Sequence, residues 1–250
     1  MPPVFSIITV TYNAELVLSR TLSSVIKQSY KNIELIVIDG KSNDQTIDLI
    51  NFYEDSINYW VSEPDEGLYD AMNKGIAAAT GDYVWFLNAG DVIKDNNIVE
   101  EIARIAEQKT MPDIIYGETD LIDAYGKVFA ERRLKAPEHL TWKSFKTGML
   151  VCHQAFIVKR DIAPEYDLQY RFSADFDWCI RCMKKAKTII NSKTRLINYL
   201  YEGTTTANRK ESLKERYRIM CKYYGTIPTQ LRHLWFAIRF YYARIFKNNS

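Results

Sequence analysis

The chain is poor in cysteine and histidine, with four of the first and three of the second in 250 residues. Cys179 and Cys182 form a single C-x-x-C in the helical context FDWCIRCMKKA, and no second pair completes a zinc site. The thiols, with Cys152 and Cys221, therefore read as small buried residues of a reducing compartment. No apolar run of about 18 residues occurs, so no membrane-spanning helix is expected. Met1 leads straight into PVFSIITVTYN, a strand pattern and not a signal peptide, which places the expectation in the cytoplasm. Neither G-x-x-x-x-G-K-[ST] nor G-x-G-x-x-G is present, which sets aside a P-loop kinase and a dinucleotide dehydrogenase. Ile8–Ala14 holds no Gly or Lys, which counts against a nucleotidyltransferase with a basic phosphate loop. Net charge is also small, at +2. It is unevenly spread: residues 209–250 carry ten Lys/Arg and two Asp/Glu, a net of +8, and the remainder carries the difference, −6. A mildly acidic body with a basic tail is not the footprint of a nucleic-acid enzyme.

What is present is an ordinary globular balance, 47% hydrophobic and 26% charged, with 13% aromatic residues and 17 Tyr. The length allows one large α/β domain with an appendage. Val4–Thr11, Glu34–Ile38, Tyr59–Ser62 and Tyr83–Leu87 read as buried strands. Glu15–Gln28, Thr46–Tyr53 and Leu68–Ala79 read as helices between them. Such alternation with short links predicts a mostly parallel, Rossmann-like sheet with helices on its faces. Beyond residue 110 the pattern turns mixed. Asp113–Tyr116 is a strand, Glu118–Asp123 and Lys127–Arg132 form a hairpin, Gln154–Lys159 and Lys187–Leu200 give strands, and Phe176–Lys185 a helix. The expected organisation is a nucleotide-binding half over 1–110, an acceptor half of the same domain over 111–207, and a basic helical extension over 208–250. In that extension Leu231, Leu234, Trp235, Ile238, Tyr241, Tyr242, Ile245 and Phe246 share one helical stripe. A basic amphipathic helix over 229–247 suits an anionic membrane surface, and the same stripe suits packing on the domain or in a homodimer.

Ligands of such sheets sit beyond the carboxyl ends of the strands. Four ends here carry polar residues: Thr9–Asn13, Asp39–Thr46, Glu63–Lys74 and Asn88–Asp91. Asp39 is placed to accept hydrogen bonds from a base or ribose, or simply to make an Asp-Gly turn. Asp91 can hold Mg²⁺ or Mn²⁺ against a diphosphate, a Lewis-acid role, or can cap the next helix. Asp175 comes from a different part of the chain. That is what a single displacement at an anomeric carbon needs of the base opposite the leaving group. Its other reading is a helix N-cap, with Asp177 in the first turn. Asp65 and Asp70, which flank Gly67, together with Lys74, His153 and Gln154, are further candidates for donor or acceptor contact. Glu202 and Thr204–Thr206 suggest a loop closing over the diphosphate.

Together TVTYN at 9–13, VIDGKSNDQT at 37–46, NKG at 73–75, GDYVWFLNAGD at 81–91 and SADFDW at 173–178 occur in one order and spacing. That ordered set resembles the family 2 glycosyltransferases over residues 4 to about 205, most of all those building bacterial surface polysaccharides. The resemblance implies a GT-A fold and an inverting transfer from a nucleoside-diphosphate sugar, commonly UDP-linked, to a glycan or lipid-linked acceptor. It implies Thr11 and Asn13 against the nucleotide, Asp39 on base or ribose, and Asn88, Ala89 and Asp91 under the diphosphate with a divalent Mn²⁺ or Mg²⁺. Asp175 matches the family's catalytic base. Two departures stand out. The usual Asp-x-Asp-Asp has Asn88 and Gly90 at its first and third positions, and the usual Glu-Asp pair has Ala174 before Asp175. A scaffold that kept the fold without catalysis is the competing class, favoured only by the thinned acidic motif.

Overall fold

The computed structural model describes residues 2–201 and 209–235. Its first half alternates as the pattern predicts: β1 (Phe5–Thr11), α1 (Leu18–Ile26), β2 (Ile33–Asp39), α2 (Thr46–Phe52), β3 (Tyr59–Ser62), α3 (Leu68–Ala78) and β4 (Tyr83–Phe86). The short β5 (Val92–Ile93) and α4 (Ile98–Gln108) close it. The second half holds β6 (Ile114–Ile122), β7 (Val128–Glu131), β8 (Phe156–Lys159), α5 (Ala174–Lys185), β9 (Ile189–Leu200) and α6 (Arg209–Tyr224). The chain is helical again over 226–235. No helix among the described residues is long and apolar enough to cross a membrane.

All the strands join one sheet in the order β3-β2-β1-β4-β8-β6-β9-β5, with β7 beside β6. β3, β2, β1 and β4 pair in parallel, β8 is antiparallel to β4 and β6, and β9 is parallel to β6. The sheet is therefore mostly parallel in strand direction and mixed in its second half. Every residue of β1 is buried because both faces are covered. Ile8 and Val10 pack with Tyr69 and Met72 of α3 and Trp178 of α5, while Phe5 and Ile7 pack with Leu22 of α1 and Ile102 of α4. This double burial turns parallel strands into unbroken apolar runs.

The sheet is curled. Ala89 still donates to the Val10 carbonyl beside β4 (3.2 Å), yet Val92 already pairs with Asn198 of β9. Three residues reach ~10 Å, whereas four strand spacings of a flat sheet, β1 to β9, cover ~19 Å. Curling brings the end of β9 onto the turn after β4, and the sequence pattern gave no sign of it.

Three expectations shift in detail. The strands expected at 113–116 and 118–123 are one strand, because Gly117 sits in an irregularity of the β6–β9 ladder and does not break it. The first helix begins at Leu18, since the Glu15 carboxylate instead receives the Gln45 amide (2.9 Å). Helix α4, with Ile98, Val99, Ile102 and Ala106 buried, was not anticipated. Residues 202–208 and 236–250 lie outside the described residues. So do Glu202, Thr204–Thr206 and most of the 231–246 stripe.

Candidate active site

The ends of β1, β2 and β3 meet at Asp39. Its carboxylate is fully buried and accepts from the Ser42 amide (2.8 Å), the Ser42 hydroxyl and the Ser62 hydroxyl (2.7 Å). Gly40 donates to the Thr11 carbonyl (2.9 Å), and a Cβ at Gly40 would lie 2.4 Å from Asp65 Oδ2. A side chain at this position would have to displace the Asp65 carboxylate. Asn13 takes the left-handed conformation (φ +47°) and its side chain accepts the Asn43 amide at 3.0 Å. The Thr11 hydroxyl is buried without a hydrogen-bond partner. Tyr12, 63% exposed beside Gly40, presents an open ring at this junction. It was not among the candidates read from the sequence, although an exposed aromatic beside a polar strand end is a surface that can meet another ring.

Asp65, Asp70 and Lys74 form a local network at the mouth of the same junction. Asp65 accepts the Gly67 amide (2.8 Å) and Asp70 the Glu66 amide (3.1 Å). Lys74 pairs with Glu63 (2.9 Å) and lies 3.6 Å from Asp70. These contacts hold the 63–74 loop in place at the strand ends.

The turn after β4 is less satisfied. Asn88 Oδ1 is buried with no partner, and Ala89 stays tied to β1 through its amide. Gly90 has φ +100°, and a Cβ there would meet Leu200 at 2.6 Å, so the turn and the end of β9 interlock through glycine. Asp91 Oδ1 accepts the Leu200 amide at 2.9 Å. Burial pushes the Asp91 carboxyl up to about 8, against the pull of the Leu200 amide, the Arg20 charge and the Gln154 side chain. Arg20 reaches in from α1, donating to the Gly90 carbonyl (3.1 Å) and the Ala124 carbonyl (2.7 Å). Burial lowers the Arg20 pKa, with Asp91 and Asp123 opposing. No local motif could have pointed to Arg20, because its partners are 70 and 104 residues away in the chain.

This turn fits a hard divalent cation. Its donors are oxygens, Asn88 Oδ1 is an orphaned buried acceptor, and the Asp91 carboxylate is costly to ionise until a cation faces it. Among the described residues no three His, Cys, Asp or Glu side chains gather as a ready-made metal site. One carboxylate completed by phosphate oxygens is the arrangement magnesium-type ions accept.

Asp175 lies half-buried in the first turn of α5. The N-cap position belongs to Ser173, whose hydroxyl turns instead to Ser212 (2.9 Å). Asp175 is thus not the helix cap; its Oδ1 accepts the Tyr69 hydroxyl (3.2 Å) and the Phe176 amide (2.8 Å). Asp177, by contrast, is fully buried and binds Arg181, Lys222 (3.1 Å) and Tyr223 (2.8 Å), clamping α6 to α5. Cys179 and Cys182 are buried, and burial raises both thiols.

Within the 152–154 turn Gln154 neighbours Asp91, and His153 feels the charge of Asp175. Gln154 accepts the Cys152 thiol (3.0 Å) and its side chain also holds Asp91. His153 bonds the Tyr166 hydroxyl (2.6 Å) and sits among the rings of Phe86, Tyr166 and Trp178. Burial lowers His153 to about 4 despite the nearby Asp175 charge, so it is neutral at pH 7 and packs. Tyr199 of β9 feels both Asp91 and Asp175; burial, the larger cause, raises its hydroxyl.

Known proteins match this arrangement. The family model "Glycosyl transferase family 2" matches residues 6–166. A PGL/p-HBAD biosynthesis glycosyltransferase of Mycobacterium bovis is 33% identical over 190 residues, covering 72% of this chain and 70% of that protein. Among solved structures, S. aureus TarS 1–349 in complex with UDP-GlcNAc superposes with a TM-score of 0.69 at 20% identity. That match covers 87% of this chain and 64% of TarS 1–349. The mannosyltransferase PcManGT from Pyrobaculum calidifontis in complex with GDP-Man and Mn²⁺ superposes with a TM-score of 0.62 at 14% identity, covering 89% of this chain and 64% of PcManGT. The two structures share the fold; the sequence matches, which run through the strand-end motifs, decide the family. The chain belongs to glycosyl transferase family 2 and is a glycosyltransferase.

Proposed function

We propose that this chain moves a sugar from a UDP-sugar to a hydroxyl of a glycan or lipid-linked acceptor in surface-polysaccharide synthesis, with inversion at the anomeric carbon. The observation that carries this reading is the 152–154 turn. Gln154 holds Asp91, its neighbour His153 feels Asp175, and Tyr199 feels both. These neighbours support the reading that two carboxylates from opposite halves of the chain serve one reaction centre. The UDP-GlcNAc carried by TarS supports the choice of donor.

In this mechanism Asp39, Thr11 and Asn13 receive the nucleoside, and the diphosphate lies over Asn88–Asp91. Asp175 takes the proton of the acceptor hydroxyl as its oxygen bonds to the anomeric carbon. The bond from that carbon to the diphosphate breaks on the opposite face, and the nucleoside diphosphate leaves with the electron pair. Asp91 and Asn88 would hold a divalent cation, which when bound neutralises charge on the diphosphate. The Mn²⁺ bound to PcManGT supports that assignment. Arg20 adds fixed positive charge beside the same turn.

The C-terminal end supports a place at the inner face of a membrane. Ile227, Leu231, Leu234 and Trp235 are all more than half exposed in a strongly basic tail. Residues 229–247 would rest on anionic lipid. A chain lacking 229–250 that still bound anionic vesicles normally would refute this step.

The central test is calorimetry of UDP, GDP, dTDP and CDP, with and without Mn²⁺, on wild type and Asp91→Ala. UDP binding that depends on Mn²⁺, and loses that dependence in the variant, is the expected result. Folded wild-type protein that binds none of the four would sink the reading.

A further inference from the structure

An aromatic group lies beyond the site just described and has no role in it. Phe129 of β7 and Tyr201, the residue after β9, meet edge-to-face at 5.8 Å between ring centroids, and both are more than half exposed. Tyr125, at the tip of the β6–β7 hairpin, is 96% exposed.

Three observations tie this group to the reaction centre. First, the ladder continues past β9, because the Tyr201 amide donates to the Ile122 carbonyl (3.1 Å). Tyr199 and Tyr201 are two residues apart on extended chain and so share a face. Leu200, the residue between them, donates its amide to Asp91 Oδ1 (2.9 Å), so the chain that carries Tyr201 leaves directly from the Asp91 turn. Second, the β6–β7 register pairs Leu121 with Ala130 but Ile122 with Val128, leaving Phe129 as an extra residue in a bulge. A bulge re-aims a side chain, and bulges concentrate beside active sites. Third, the Arg20 guanidinium donates to both the Gly90 and the Ala124 carbonyl, fastening the hairpin tip to the turn that carries Asp91.

We propose that Phe129 and Tyr201 form the acceptor subsite, taking the apolar face of a sugar ring next to the acceptor hydroxyl, with Tyr125 extending the track outward. This rests on the glycosyltransferase mechanism above. Sugar rings offer C–H groups on one face and hydroxyls at the rim. An exposed aromatic pair on the hairpin that Arg20 ties to the Asp91 turn matches the first.

The test uses the full chain, fluorescently labelled, on a glycan array in the presence of UDP and Mn²⁺, with UDP calorimetry run in parallel. Wild type should bind a defined set of glycans. Phe129→Ala and Tyr201→Ala should each lose at least fivefold of that signal, while Val128→Ala on the same hairpin keeps it, and all three should bind UDP as wild type does. Equal glycan binding by Phe129→Ala and Tyr201→Ala would overturn the subsite. So would no glycan binding by a wild type that binds UDP. Loss of a homodimer in Phe129→Ala, with glycan binding intact, would assign the patch to a second copy and equally overturn it. Failure of wild type to bind any nucleoside diphosphate would instead strike the underlying mechanism.

Discussion

Asp39 and Asp91 are both buried carboxylates just beyond the ends of parallel strands, yet their surroundings differ. Asp39 is met by three protein donors, from Ser42 and Ser62. Asp91 has one backbone donor, and burial holds its carboxyl up near 8. Around Asp39 the segments after β1, β2 and β3 bind one another, so this end of the sheet is tied together by its own residues. Around Asp91 the Asn88 oxygen has no partner and the charge is only partly offset by Arg20. A buried acceptor without its donor costs about 1–3 kcal/mol. That cost is recovered when positive charge enters, which suits a site that must grip a diphosphate and release it.

The sharpest challenge to this contrast is Asp175→Asn. If Asp175 is the base, kcat should fall by ~10³ with UDP affinity unchanged, since general-base catalysis contributes about 10²–10⁴. A kcat within a factor of a few of wild type would remove Asp175 from the chemistry. Next comes Asp91→Ala, expected to lower Mn²⁺-dependent UDP affinity by about a hundredfold, read by calorimetry. Asp39→Asn should act differently. It breaks a saturated network, so thermal stability should fall by about 1–3 kcal/mol together with a metal-independent loss of nucleotide affinity. Metal dependence appearing in that loss would blur the two sites into one.

The smallest effect is in the pH dependence of stability without metal. The folded-state pKa of Asp91 is raised, so between the unfolded value and about 8 the native state holds a proton that the unfolded state has lost. Stability therefore falls as pH rises through that window. His153 works in the opposite sense, since its lowered pKa, about 4, lets stability recover as pH rises from there toward its ordinary value. In chelator-treated protein, Asp91→Asn should melt a few degrees above wild type at pH 8 and no higher than wild type at pH 4. A gain that did not depend on pH would mean that Asp91 is not carrying a buried charge.

The first half was legible because its pattern is local. Thr9–Asn13, Asp39–Thr46 and Asn88–Asp91 follow apolar strands directly, and a parallel sheet puts every such end on one edge. The second half was legible only as a set of elements, with its hairpin and helix near their expected positions. Arg20, Tyr69, Tyr199 and Tyr12 went unread for different reasons. Arg20, Tyr69 and Tyr199 act through partners far along the chain, while Tyr12 carried a usable signal that was passed over. His153, which the sequence offered as a candidate contact or as a satisfied structural residue, is a neutral ring bonded to Tyr166 with Phe86, Tyr166 and Trp178 packed around it.

The family came from the resemblance of the ordered motifs; periodicity and strand-end polarity were enough to reach the α/β class, the parallel first half and the strand-end carboxylates. These follow from side-chain alternation and from chain direction, which are local properties. Folding in three dimensions settled the curl of the sheet that seats β9 on the turn after β4, the burial that lifts Asp91, and the contact of Asp175 with Tyr69 of α3. Burial and facing depend on which surfaces close over a residue, and those surfaces here come from segments more than a hundred positions apart, as Leu200 on Asp91 and Tyr69 on Asp175 illustrate.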